Sequence, residues 1–200
     1  HETFEAYAAA KVSLLDASDR AILNGDDAGV MKATSSWKGE KTFFLLDTPG
    51  PGEIGIVEDL LVDRAFVIDP QEAVMIANLV DVKPTVPHNV SNALAAAALA
   101  LAGGIDHVDI QKAIIAFRPG RHRIEEIYKK GEITWVDDSK ATNPHAATAS
   151  ILSNLSVIWI AGGLAKGANM ESVIARGKAR MKAAILIGQD RALIAAELKK

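Results

Sequence analysis

Apolar positions along the first part of the chain follow two rhythms, one helical and one extended. Phe4, Tyr7, Ala8, Val12 and Leu15 recur at helical spacing and predict an amphipathic helix. AILNGDD then reads as a short strand ending in polar turn residues. Within residues 40–66, KTFFLLD, a Pro-Gly-Pro-Gly turn and EIGIVEDLLVDRAF predict short strands around loops. HNVSNALAAAALALAGG predicts a helix, because alanine has the highest helix propensity and Gly103-Gly104 offer a left-handed stop. That segment is apolar all round, which predicts burial on several sides. IDHVDIQKAIIAF predicts the next helix, ended by Arg118-Pro119-Gly120.

Beyond this Pro-Gly pair the pattern changes. EITWVDD, SVIWIAGG and AAILIGQD predict three strands, separated by the helices NPHAATASILSNL and NMESVIARGKARM, and RALIAAELKK starts a further helix. Strands alternating with helices predict a parallel sheet with right-handed crossovers. The expected fold class is therefore α/β in two domains, residues 1–119 and 120–200. Parallel sheets bind ligands at the carboxyl ends of their strands, an edge expected to carry the loops DDSKATNP, GGLAKGAN and GQD.

Composition narrows this picture. Hydrophobic residues at 49% and charged residues at 24% suit a globular core, while aromatics at 5% leave the packing to alanine and aliphatic side chains. A net charge of -3 gives no reason to expect nucleic acid or an anionic membrane as partner. Absence of cysteine excludes disulfides and thiolate metal sites and fits a reducing compartment. The apolar run Ala93 to Ala102 is too short to span a bilayer. No basic leader with an apolar stretch follows His1, so no secretory signal is visible, and the missing initiator methionine suggests a chain cut out of something longer.

The richest polar stretch is Asp137-Asp138-Ser139-Lys140-Ala141-Thr142-Asn143-Pro144. Asn143 is a natural N-cap and Pro144 suits the first helical position, so free N–H groups and a positive dipole end are expected beside Lys140 and Thr142. Such a site suits a carboxylate or phosphate, with Asp138 facing a ribose or a cation; an ordinary capped turn explains the same residues. Lys166, among glycines in the next loop, would reach the same anion or be a solvated lysine. Neither G-x-x-x-x-G-K-[ST] nor G-x-G-x-x-G occurs. Asn89 and Asn92 lie three apart at the start of the alanine-rich helix, where paired carboxamides can read adenine or merely cap. Arg118, Arg121 and Arg123 crowd the boundary and suit phosphate or ribose. Lys11, among alanines, is a candidate for a desolvated amine that forms a carbamate; simple exposure is the plain alternative.

In order along the chain, AYAAAK, ILNGDD, PHNVSNALAAAALA, FRPGRHRIE, VDDSKATNPHA, IAGGLAKGA and GQDRALIA resemble the Mur ligase family, and the resemblance runs from residue 6 to residue 196. It implies the end of a central ATPase-type α/β domain followed by a Rossmann-like domain with a parallel sheet. HNxxNALAA is shared by several ligases of the family, and loosely by folylpolyglutamate synthases. DDSKATNP resembles the members that add D-glutamate to UDP-N-acetylmuramoyl-L-alanine. The implied cofactors are ATP and Mg2+, the implied setting a monomer in the cytoplasm. By the same resemblance Lys11, once carbamylated, helps hold magnesium; Asn89 and Asn92 contact adenine; Arg123 and Asp138 reach ATP; Ser139, Lys140, Thr142 and Lys166 surround D-glutamate. Lys11, Asp138 and Lys140 are thereby the expected catalytic residues. The uridine-nucleotide domain, the ATP-binding glycine loop and further metal ligands are expected upstream of His1, and more D-glutamate contacts beyond Lys200. Another amide ligase of the family, or a non-catalytic nucleotide-binding module, remains as an alternative.

Overall fold

The computed structural model describes residues 3–69, 71–164 and 167–200. The chain divides into two units, His1–Arg118 and Pro119–Lys200. It is α/β, with parallel strands in both units.

In the first unit, helix α1 (Phe4–Val12) is capped by the Thr3 hydroxyl, which accepts from the Ala6 N–H at 3.2 Å. Its amphipathic pattern does not become a buried face, since none of its residues is buried among the described residues. Strand β1 (Arg20–Asn24) leads through α2 (Ala28–Ala33) to β2 (Glu40–Phe44), which it pairs in parallel. Next come β3 (Glu53–Val57), β4 (Leu60–Asp63) and β5 (Val74–Asn78), the last a strand that the hydrophobic pattern does not single out. The sheet order is β1-β2-β3-β4-β5. β2 and β3 are parallel, whereas β3/β4 and β4/β5 are antiparallel. Only Glu58 and Asp59 join β3 to β4, too short a link for a crossover.

Helix α3 (Pro87–Ala102) packs on β1, β2 and β3, and α4 (His107–Ala116) packs on β5. α3 ends as its glycines predict: Gly104 takes φ +82°, the Ile105 N–H donates to Ala100 O at 3.0 Å, and the Gly104 N–H donates to Leu101 O at 2.9 Å. It is not buried on several sides, however. Val90, Leu94, Ala97, Ala98 and Leu101 form one buried stripe, while Leu99 on the opposite face is 62% exposed. Uniform apolarity cannot tell the two faces apart; the sheet, present on one side only, does. The stripe meets Ile54, Leu61, Ile76 and Ala77, and full burial of a side chain such as Leu94 contributes about 1.5–3 kcal/mol. Among the described residues one acidic side chain lies inside. Asp63 is fully buried; its carboxylate accepts from the Ala65 and Phe66 N–H groups at 2.8 and 3.0 Å and lies 2.9 Å from His107 Nε2, tying the end of β4 to the start of α4.

In the second unit, β6 (Glu125–Lys130) and β7 (Ile133–Asp137) form an antiparallel hairpin about Gly131. Helix α5 (Pro144–Leu152) follows, then β8 (Val157–Gly162), α6 (Glu171–Gly177), β9 (Met181–Ile187) and α7 (Arg191–Leu198). β8 and β9 pair in parallel, as the alternation predicts. The expected three-strand sheet is corrected at ITWVD: β7 pairs with β6 as a separate two-stranded sheet and not with β8. EEIYKK immediately precedes it across a glycine turn, and such a hairpin closes with little loss of chain entropy. α5 packs on α6, and α7 on β8 and β9. Gly162 is required by close approach, because a Cβ there would lie 1.9 Å from the Ile187 carbonyl oxygen. Among the described residues, no helix is long and apolar enough to cross a membrane.

Candidate functional site

The loop from β7 to α5 is built by short-range hydrogen bonds. The Ser139 N–H donates to Asp137 Oδ1 at 2.9 Å, the Ala141 N–H to Asp138 O at 2.8 Å and the Thr142 N–H to Lys140 O at 2.8 Å. Asn143 caps α5, its side-chain oxygen accepting from the Ala146 N–H at 2.9 Å. This start offers less to an anion than the sequence predicts. Pro144 has no N–H, the Ala146 N–H goes to the cap, and the Ala147 N–H goes to Asn143 O at 3.1 Å. Only the His145 N–H of that turn is left for a ligand among the described residues. The side chains do face outward, since Ser139, Lys140 and Thr142 are exposed.

Residues 121–125 are sewn to this loop. The Lys140 N–H donates to His122 O at 3.1 Å, and the Ile124 N–H donates to Asp138 Oδ1 at 3.1 Å. Asp138 thus uses one oxygen to hold the chain beside Arg123, whose side chain is exposed. His122 Nδ1 lies 2.7 Å from Asp137 Oδ2. The His122 N–H donates to Glu125 Oε2 at 2.9 Å, and Arg121 Nε donates to Glu125 Oε1 at 3.3 Å. Asp137 is held down at about 2, chiefly by the His122 ring and further by the Ser139 N–H and hydroxyl. Its carboxylate is therefore an acceptor near neutrality, and His122 Nδ1 donates to it. Glu125 is also lowered, first by the His122 N–H and then by Arg121. His122 at φ +68° and Ile124 at φ +49° both occupy the left-handed region. Histidine tolerates it better than most residues, but for β-branched isoleucine it costs on the order of 1–3 kcal/mol.

His122, Glu125 and Asp137 offer ligand atoms within 4.8 Å of one another. The His122 ring already bonds Asp137, and Glu125 accepts from Arg121 and from the His122 backbone N–H, so the trio is first a hydrogen-bonded cluster. Asp137 heads the polar loop and His122 and Glu125 lie in FRPGRHRIE, but the sequence assigned none of the three a role. Its only signal was a histidine between two arginines, because the facing of Glu125 and Asp137 across the hairpin needs the register of β6 and β7.

In the first unit, Asn89 and Asn92 both lie on α3, Asn92 exposed and Asn89 half-buried. Asn89 Nδ2 donates to Pro84 O at 3.1 Å, which leaves its carbonyl oxygen for a partner. It does not cap the helix; Val86 holds that position and Pro87 the first turn. Lys11 is on α1, exposed, with Nζ 5.6 Å from the centre of the Tyr7 ring. Of the two readings of Lys11, simple exposure holds, because alanine neighbours on an unburied helix exclude no water. Lys166 lies outside the described residues. The structure therefore brings together Arg123, Asp138, Ser139, Lys140 and Thr142 on two loops of one unit, pairs Asn89 with Asn92 on α3, and leaves Lys11 by itself on α1.

No family model matches the chain. Curated relatives match it closely. A UDP-N-acetylmuramoylalanine--D-glutamate ligase of Streptomyces coelicolor is 44% identical over 200 residues, covering 97% of this chain and 42% of the relative. One of the same name from Streptomyces avermitilis is 51% identical over 152 residues, covering 76% of this chain and 32% of the relative. One from Mycobacterium avium is 42% identical over 205 residues, covering 100% and 40%. The chain thus spans between 32% and 42% of the length of these relatives. Among solved structures, a pseudomurein peptide ligase type C from Methanothermus fervidus has a TM-score of 0.58 at 17% identity, covering 99% of this chain and 50% of that one. MurF from Acinetobacter baumannii has a TM-score of 0.53 at 18% identity, covering 90% and 52%. These two likenesses concern the fold alone.

Proposed function

The chain belongs to the Mur ligase family, and from that premise we propose that it forms part of an ATP-dependent ligase that adds D-glutamate to UDP-N-acetylmuramoyl-L-alanine. The observation that carries this reading is the 44% identity to a ligase of that name over nearly the whole chain. Residues 1–119 are then the later part of the ATP-binding central domain, and residues 120–200 the first part of the domain that receives the amino acid. The enzyme works as a monomer in the cytoplasm, on a precursor of peptidoglycan. This chain without the rest of its relatives' length is inactive in this reading.

In this reaction the carboxylate of UDP-N-acetylmuramoyl-L-alanine takes the γ-phosphoryl group of ATP, giving an acyl phosphate and ADP. The amine of D-glutamate attacks the acyl carbon and phosphate leaves, so the protein's task is mainly to position and to stabilise charge. Lys140 and Thr142, with Ser139 and Lys166, hold the carboxylates of D-glutamate so that its amine faces that carbon. Asn89 and Asn92 receive adenine, and the free oxygen of Asn89 suits its amino group. Arg123 and Asp138, joined through the Ile124 N–H, receive the phosphates and ribose. Mg2+ neutralises the crowded phosphate anions when bound. Exposed Lys11 is open to carbon dioxide, and as a carbamate it offers one oxygen ligand, which fits an ion that takes few protein ligands besides water and phosphate.

Phosphate release by the full-length protein tests the assignment. It is expected only when ATP, UDP-N-acetylmuramoyl-L-alanine and D-glutamate are all present. Release with another amino acid in place of D-glutamate, and none with D-glutamate, would assign a different ligase of the family.

A further inference from the structure

Arg123 sits between two non-glycine residues in the left-handed region, His122 and Ile124. A backbone of this kind persists only where its surroundings over-determine it. Here the restraints are specific. The His122 ring is bonded to Asp137, the His122 N–H to Glu125, the Ile124 N–H to Asp138, and the His122 carbonyl receives the Lys140 N–H. Only the first of these is a bond between two side chains, and Asp137 is also the residue from which the 138–143 loop departs. Without it, bonds from backbone N–H groups alone oppose the relaxation of Ile124 toward extended backbone, a change that would turn the Arg123–Ile124 peptide away from Asp138.

We propose that His122 and Asp137 are positioning residues: their bond locks the 121–124 segment onto the loop after β7 and so sets Arg123 beside Asp138. The nucleotide role of Arg123 and Asp138 is taken from the function proposed above, and the lock itself rests on the hydrogen bonds alone. His122 need touch neither substrate nor nucleotide. What it supplies is a donor at Nδ1 on a residue that tolerates positive φ. Asparagine meets both requirements, since its Nδ2 stands at the same bonded distance from Cβ and it is enriched in the left-handed region. Glycine meets only the second. Alanine meets neither.

The test is steady-state kinetics of the full-length enzyme carrying His122→Ala, His122→Gly, His122→Asn, Asp137→Ala or Arg123→Ala. His122→Ala, His122→Gly and Asp137→Ala are expected to raise the Michaelis constant for ATP about tenfold, the effect of one charge-assisted hydrogen bond. His122→Asn is expected to return it to within about threefold of the parent. Amide exchange gives a second reading that needs no activity: protection at Ile124 and Lys140 is lost in the alanine and glycine variants and kept in asparagine. If glycine rescues as well as asparagine, backbone strain alone explains His122 and the lock is refuted. If Arg123→Ala raises the ATP constant while His122→Ala and Asp137→Ala leave both it and the protection unchanged, the positioning role is likewise refuted. If Arg123→Ala leaves the ATP constant unchanged, the nucleotide role of Arg123 falls; the exchange pattern still decides whether the lock exists.

Discussion

The two units secure their backbones by different means. In the first, five strands and α3 enclose a continuous apolar interior in which Ile54, Leu61, Ile76 and Leu94 have no exposure. In the second, Ile158, Ile160, Ile185 and Ile187 on one face of the β8–β9 pair are all at least 50% exposed. Its candidate site is held by hydrogen bonds that His122 makes to Glu125 and Asp137, Ile124 to Asp138 and Ala146 to Asn143. An apolar interior resists change through volume; a polar lattice resists it through partners. Mutations should therefore fail differently in the two units.

The largest contrast is expected at α3. Leu94→Ala should destabilise the first unit by about 2–5 kcal/mol, whereas Leu99→Ala, at 62% exposure, should stay within about 0.5 kcal/mol. Urea unfolding of the two variants measures the difference. Equal losses would mean that α3 is covered on both faces and that the stripe described here is not its buried side.

Lys140→Ala should show the opposite behaviour, a functional defect with little change in stability, because the side chain is exposed. We expect the Michaelis constant for D-glutamate to rise about tenfold in the full-length enzyme, equivalent to about 1.4 kcal/mol, with that for ATP nearly constant. An unchanged D-glutamate constant would remove Lys140 from the substrate site.

Asn143→Ala removes the cap of α5 and leaves the Ala146 N–H without its acceptor. About 1 kcal/mol of stability should be lost, and thermal unfolding reports it. Asparagine replaced by aspartate should keep most of it, since aspartate caps equally well. A null result at alanine would show that α5 starts elsewhere.

The smallest effect concerns pH. The folded value of Asp137 is lowered from 3.8 to about 2, so its contribution is fully present above about 4 and is lost as pH falls toward 2. Amide protection at Ser139, which donates to this carboxylate, should fade across that window and be unaffected near neutrality. Protection that persists at pH 2 would mean that the Asp137 carboxylate does not hold the turn.

Local signals account for much of what could be read without coordinates. The glycine stop of α3, the Asn143 cap with Pro144 behind it, and the alternation giving β8, α6, β9 and α7 all follow from residues within a turn or two of each other. The outward set of Ser139, Lys140 and Thr142 also belongs to that level, since a capped loop after a strand exposes its polar side chains. Failures came where distant partners decide. The alanine-rich run could not reveal which of its faces meets the sheet. Nor could the alanines around Lys11 decide between an enclosed and an exposed amine, which the unburied helix does.

By itself the sequence determined the α/β class, the start and stop of its best helices and the polar loop that carries the candidate site, because these depend on backbone propensity and nearby hydrogen bonds. Tertiary structure alone decided that β7 joins β6, that α3 buries one stripe, and that His122 meets Asp137. Each of these is a choice among partners of similar chemistry, and it is settled by strand register and by which surface is shielded from water. Neither quantity is written in any single stretch of residues.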